Sequence, residues 1–149
     1  MAKTYKINAI TGDLDIVKDS SVLYVAENIP EVGINVVIGD GANEISTGVA
    51  IGVEAPFDMT IESASIFALD GNTGSIKVDV WKDTYANFPP TDADTITGGE
   101  EPEITAGTKN QDTSLTSWTK TITKGDIIYF NVDSITTLTK VLVSLKATK

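Results

Sequence analysis

The side chains in this chain that could do chemistry are of few kinds. There is no Cys, no His and no Arg, and all 11 basic residues are Lys. That excludes thiolate and imidazole metal sites, Cys nucleophiles, Ser-His-Asp triads and bidentate guanidinium grips on phosphate. General acid–base work would fall to Asp, Glu, Lys or Tyr. Paired carboxylates can hydrolyse glycosides, but no pair of acids here is set apart by apolar neighbours. The expectation is therefore no catalytic, cofactor-binding or metal-binding residue, and a chain that is not an enzyme. Two groups of residues still call for a reading. Asp92, Asp94, Glu100, Glu101 and Glu103 crowd one loop without a base among them. Hard cations want several oxygens around one point, yet the spacing is not that of an EF-hand, whose required Gly would fall on Thr97. A solvated acidic loop is the simpler reading. The second group is Trp81, Tyr85 and Trp118, whose ring faces could form a platform for a sugar.

Charge and composition narrow the partners. Twenty-one acids against 11 Lys give a formal charge of −10, so a phosphate backbone would be repelled and no nucleic-acid partner is expected. No run approaches the roughly 18 consecutive apolar residues of a membrane helix, and no membrane insertion is expected. The start, Met1 to Asn8, lacks the apolar stretch of a secretory signal, which points to folding in a cytoplasm. Ile, Val and Thr together make 50 of the 149 residues. Such side chains are stiff at χ1 and suit a pleated surface.

The elements that must position these residues read as strands. Val49, Ile51, Val53 and Ala55 alternate with Ala50, Gly52 and Glu54; Ile76, Val78 and Val80 alternate with Lys77 and Asp79. Ile128, Phe130 and Val132 form a third set, Val141, Val143 and Leu145 a fourth, and Ile34, Val36 and Ile38 a weaker fifth. Period two puts each set on one face of a strand. Met59 to Leu69 is also strand-like, but its phase breaks near Ser63-Ala64-Ser65, where a bulge would reconcile the two ends. Asp70 to Gly74 reads as a hairpin loop between two strong strands. About Asp83 to Asp112 there is no good alternation, and Pro89-Pro90, Gly98-Gly99 and Pro102 mark an excursion with at most one helical turn at Thr91–Asp94. No window has period 3.6, so the crossover helices of a parallel sheet are missing. The fold class expected is all-β: an antiparallel β-sandwich, jelly-roll-like, with a short N-terminal arm. Residues 1–45 read as the arm or base and 46–149 as the sandwich.

One part of the sequence resembles a known module. Trp81-Lys82-Asp83-Thr84-Tyr85-Ala86-Asn87-Phe88-Pro89-Pro90-Thr91, followed by Ala93-Asp94-Thr95-Ile96-Thr97-Gly98, is similar to the C-terminal module of tailed-bacteriophage virion appendage proteins such as head fibres and tail fibres. Ile38-Gly39-Asp40-Gly41, Ile45 to Gly48 and Pro56-Phe57 fit upstream. Lys109 to Thr116, Trp118, Gly125-Asp126-Ile127, Phe130 to Ser134 and Val141 to Lys146 fit downstream, so the likeness spans about residues 38–149. The arm around Ile7 to Asp15 looks like a short virion-attachment leader. The resemblance implies a virion structural protein assembled in the bacterial cytoplasm during infection and commonly a homotrimer. It would be held to phage capsid or tail proteins through residues 1–45. Because no shaft is encoded, a capsid-bound fibre or decoration protein is expected before a long tail fibre. The alternative is a receptor-binding head that recognises host-surface glycan through Trp81, Tyr85 and Trp118.

Two structural expectations accompany this reading. Trp81, Tyr85, Phe88 and Pro89-Pro90 are bulky and semi-rigid, and could fold across the open end of the sandwich as a lid. Ile127, Tyr129 and Leu142 sit on the face opposite the core set of the last two strands. If those strands are neighbours, the three form an apolar patch that would pack against another copy. Charge is also unevenly spread: residues 118–149 hold five Lys and two Asp, and the remainder six Lys and nineteen acids. Such a split could bring like subunits together through opposite surfaces.

Overall fold

The computed structural model describes residues 30–149, together with the backbone of β1 (Thr4–Ile7), β2 (Leu14–Lys18) and β3 (Ser21–Tyr24). Those first three strands form their own antiparallel sheet in the order β1-β2-β3. The arm residues Ile10, Thr11, Gly12 and Asp13 lie outside the described residues.

From Glu31 onward the chain is a two-sheet sandwich. One sheet holds β4 (Glu31–Ile38), β6 (Met59–Ala68) and β12 (Val141–Thr148), and its far edge is shared by the short β9 (Lys109–Asp112) and β10 (Thr121–Ile122). The other holds β5 (Gly48–Glu54), β11 (Asp126–Thr136), β7 (Gly74–Thr84) and β8 (Glu103–Gly107), in that order. All the pairings are antiparallel. Late strands lie between early ones in both sheets, which is the jelly-roll connection. Each of the five alternating segments lies in a strand, and four turn their apolar set inward; in β5 a bulge at Ala50, where Phe130 pairs with Ile51 but Asn131 pairs with Val49, keeps Ile51 and Val53 inward and leaves Val49 exposed. Val78, Val80, Ile128 and Phe130 face Ile66, Val141, Val143 and Leu145, all almost fully buried. The phase break in β6 is a bulge. Lys146 pairs with Ser63 but Ala147 pairs with Ile61, so Glu62 is the extra residue and Ile61 and Ala64 both point inward.

Two expectations are corrected here. The sandwich begins at Glu31, not residue 46, because β4 pairs with β12 over its whole length, from Val141↔Ile38 to Thr148↔Glu31. Val36 and Ile38 are core residues. β4 is an edge strand, with only its last inward positions fully covered. The Asp70–Gly74 turn is likewise not a hairpin, since β6 and β7 belong to different sheets. It carries the chain across the sandwich. The Asp70 carboxylate pins it there by accepting from Asn72 N, Thr139 N and Thr139 Oγ1, tying it to the loop that crosses back before β12.

Candidate functional site

The segment that carries the resemblance leaves the end of β7 and returns along its edge. After Thr84 come a 3₁₀ turn at Tyr85–Asn87 and another at Asp92–Asp94. The second is closed by a capping box: the Asp94 carboxylate accepts from Thr91 N, and Thr91 caps the turn. It falls where one helical turn was expected. Thr95 then pairs with Trp81, Ile96 N donates to Val80 O, and Val78 N donates to Pro102 O. The chain thus runs beside β7 and continues into β8.

Period two along β7 decides what this return segment meets. Val78 and Val80 point to the core, so Asp79 and Trp81 point to the outer face. Ile96 joins the core, while Thr95 and Thr97 face Asp79. The buried Asp79 carboxylate accepts four hydrogen bonds: Val80 N at 2.7 Å, Thr95 Oγ1 at 2.7 Å, Thr97 Oγ1 at 2.8 Å and Trp81 Nε1 at 2.8 Å. A buried charge is tolerable only when its acceptor capacity is filled in this way. At 4% exposure its oxygens are out of a substrate's reach. The sequence marked Trp81 but not Asp79. The available sign was the alternation Thr95-x-Thr97, which puts two hydroxyls on one face of an edge segment.

The expected sugar platform does not assemble. Trp81 is 9% exposed and tied to Asp79, and Trp118 is 7% exposed, lies in the core and donates from Nε1 to Glu100 O. Only Tyr85, 78% exposed, presents a free ring. The two indoles are covered because each N–H needs an internal acceptor and each ring fills a gap beside a strand edge. The lid expectation changes for the same reason. Leu115, Trp118 and Ile96, rather than Tyr85 and Phe88, close the side of the sandwich at β8, β9 and β10. Phe88 instead reaches over the outer face of β11 and meets Tyr129 edge-on, with ring centroids 5.9 Å apart.

Ile127, Tyr129 and Leu142 do not share a face either. β11 and β12 lie in opposite sheets, so Leu142 looks out from one side of the molecule and the other two from the other. Ile127 is already buried. The Tyr129 ring lies against Gly52, where a Cβ would come within 2.5 Å of it. Leu142 stands between Val37 and Phe67 on the far face.

The acidic loop is used for internal bonding. Glu100 accepts from Ser117 N and from Thr116 Oγ1, bonds that hold its carboxyl below the usual range. The hydrogen bonds from Thr91 lower Asp94 in the same way. Glu101 and Glu103 lie 3.3 and 3.9 Å from Lys77 Nζ, and the Glu101 bond, with the charges around it, raises the Lys77 pKa. A polar cleft of about 300 Å³ opens between β8 and β9 beside these residues, lined in part by Asn110, Gln111 and Asp112. Among the described residues no cluster of carboxylates is placed to hold a metal ion. No helix among them is long and apolar enough to cross a membrane. No protein-family model matches this chain, and no curated protein matches it.

Proposed function

We propose that this chain is a non-enzymatic structural protein of a bacteriophage virion, a homotrimeric capsid-bound fibre or decoration protein assembled in the host bacterial cytoplasm. The jelly-roll is the head, and the segment before Glu31 attaches it to capsid or tail proteins. The observation that carries this reading is the fate of the motif residues. Trp81, Thr95 and Thr97 are spent with neighbouring Asp79 on fixing the return segment to the β7 edge, Asp94 on closing a turn within that segment, and Trp118 on holding its Glu100. Residues committed in this way serve rigidity, which a particle surface needs, and leave nothing poised to react. Mass spectrometry of purified particles, followed by antibody labelling in the electron microscope, tests the proposal. A particle preparation without this polypeptide overturns it.

A second reading draws on Tyr85 and Phe88, which stand 78% and 56% exposed on one short turn. On that reading the head recognises a host-surface glycan by stacking sugar on these rings. A glycan array with the intact protein decides the point. Saturable binding that Tyr85→Ala and Phe88→Ala abolish without unfolding supports it, and an array with no binding removes it.

A further inference from the structure

The two long sides of the sandwich are finished differently. At β8, β9 and β10 the apolar gap between the sheets is closed beneath the polar cleft, and Ile96, Ile104, Leu115, Trp118 and Ile122 are all buried. At the opposite side the edges are β4 and β5, each bonded to a single neighbour, β12 and β11. There the inward residues Val32, Ile34, Ile51, Val53 and Phe57 pack on the core but stay half exposed. Among the described residues Lys149 reaches that row, its Nζ 4.8 Å from the centre of the Phe57 ring, and the Val32, Ile34, Ile51 and Val53 side chains stay half open.

These edges are only lightly guarded: β5 bulges once, at Ala50, and β4 pairs along its length without a break. Exposed edge strands in stable monomers are usually blunted by Lys, Pro or an inward-pointing charge, because free N–H and C=O groups invite another strand. From Val32 to Ile38 and from Gly48 to Val53 there is no charged residue and no Pro. Of the flanking charges, Glu31 is neutralised by Lys146 at 2.7 Å, which leaves Glu54 and, over Phe57, Lys149. This matters for a chain of charge −10. Two copies repel over most of their surface, and they approach at least cost where the field is weakest. The strip with the fewest charges is also the strip with the least cover.

We infer that the β4/β5 side is where copies of this chain meet, each covering the open apolar row of its neighbour. The inference rests on the homo-oligomeric reading above and replaces the outer-face patch as the contact. The strip lies along one side only, so copies turned toward a common axis close as a ring instead of growing as a filament.

The test uses the full chain and four proteins: wild type, Asn35→Lys, Ala50→Lys and Leu142→Lys. Asn35 and Ala50 are exposed positions on the two edges, so the substitutions place a charge there without opening the core. Light scattering across a concentration series reads the mass, near-ultraviolet circular dichroism checks the fold, and hydrogen exchange reads the β4 and β5 amides. The expected wild-type mass is a multiple of 15.8 kDa. Each edge variant should shift its dissociation midpoint at least tenfold higher in concentration. Leu142→Lys should keep the wild-type mass, and β4 and β5 protection should rise with concentration. A wild-type oligomer that only Leu142→Lys dissociates overturns the inference and leaves the oligomer standing. A wild-type protein of single-chain mass at every concentration overturns both. In that case, strong concentration-independent protection of β4 and β5 would assign the cover to the chain's own first 29 residues.

Discussion

Replacing Asp79 with Asn tests the claim that one carboxylate pins the return segment. The substitution preserves shape and changes only acceptor capacity. Oδ1 takes Val80 N, Thr95 Oγ1 and Thr97 Oγ1, and Oδ2 takes Trp81 Nε1. The amide oxygen of Asn can replace one of these atoms, and the better choice is the three-donor position. Its NH₂ then faces the Trp81 N–H, donor against donor. A buried donor left unsatisfied costs about 1–3 kcal/mol. The three surviving bonds lose their charge assistance, worth roughly half the strength of each. Removing a buried charge recovers part of this through desolvation. The balance is a loss of about 3 kcal/mol, or roughly 10 °C in Tm for a chain of this size. Urea titration monitored by Trp fluorescence measures it, with exposed Asp92→Asn in the same loop as control, expected within about 0.5 kcal/mol of wild type. The Trp81 indole N–H should also lose hydrogen-exchange protection. An Asp79→Asn protein as stable as the control, with that N–H still protected, would refute the reasoning.

Three further outcomes are expected. Phe130→Ala removes a fully buried ring from the centre of β11 and should cost about 3–5 kcal/mol by denaturant titration. Trp118→Ala should cost a similar amount, about 3–5 kcal/mol, and raise exchange at Ile96 and Thr119, whose backbones meet beside it; a loss below about 1 kcal/mol would mean the indole does not seal that side. Acid should destabilise the fold. Backbone hydrogen bonds hold Asp40 down to about 2 and also depress Asp70, Glu100 and Asp112, so the unfolded chain takes up protons first as pH falls. Stability from these groups is complete above the ordinary carboxylate range and drains away below about pH 4, toward pH 2. Asp133, raised by burial, acts in the opposite sense but is one group against five, since Asp94 is lowered as well. Tm measured at pH 7, 4 and 3 should fall at each step below pH 5, and a flat profile would contradict the hydrogen bonding described.

Local pattern and long-range pairing divide the account of this molecule between them. The inward set of most strong strands was readable because period two is a local property: once Ile128, Phe130 and Val132 alternate with other residues, any sheet they enter buries that face; Val49 is the exception, because the bulge at Ala50 reverses its side. The β6 bulge and the 3₁₀ turn after Pro90 were readable for the same reason, as a phase slip and a Pro-Thr-Asp signal within a few residues. Which strands are neighbours was not readable. Pairing of β4 with β12 joins residues more than a hundred apart, and nothing near Ile34 announces Val143 or Leu145. That non-local choice moved the start of the sandwich to Glu31 and turned the Asp70 loop from a hairpin into a crossing. It also set Tyr129 and Leu142 on opposite sides of the molecule. The aromatic motif shows the same division: its bulk could be read from the residues, but whether a ring ends in solvent depends on what packs over it. Tertiary structure brought Thr95 and Thr97 onto the Asp79 that holds Trp81, and Glu100 onto Trp118, and so made two of the three aromatics part of the frame. An apolar strand carries its own instruction to be buried, whereas an edge exists only once every other strand has found its partner.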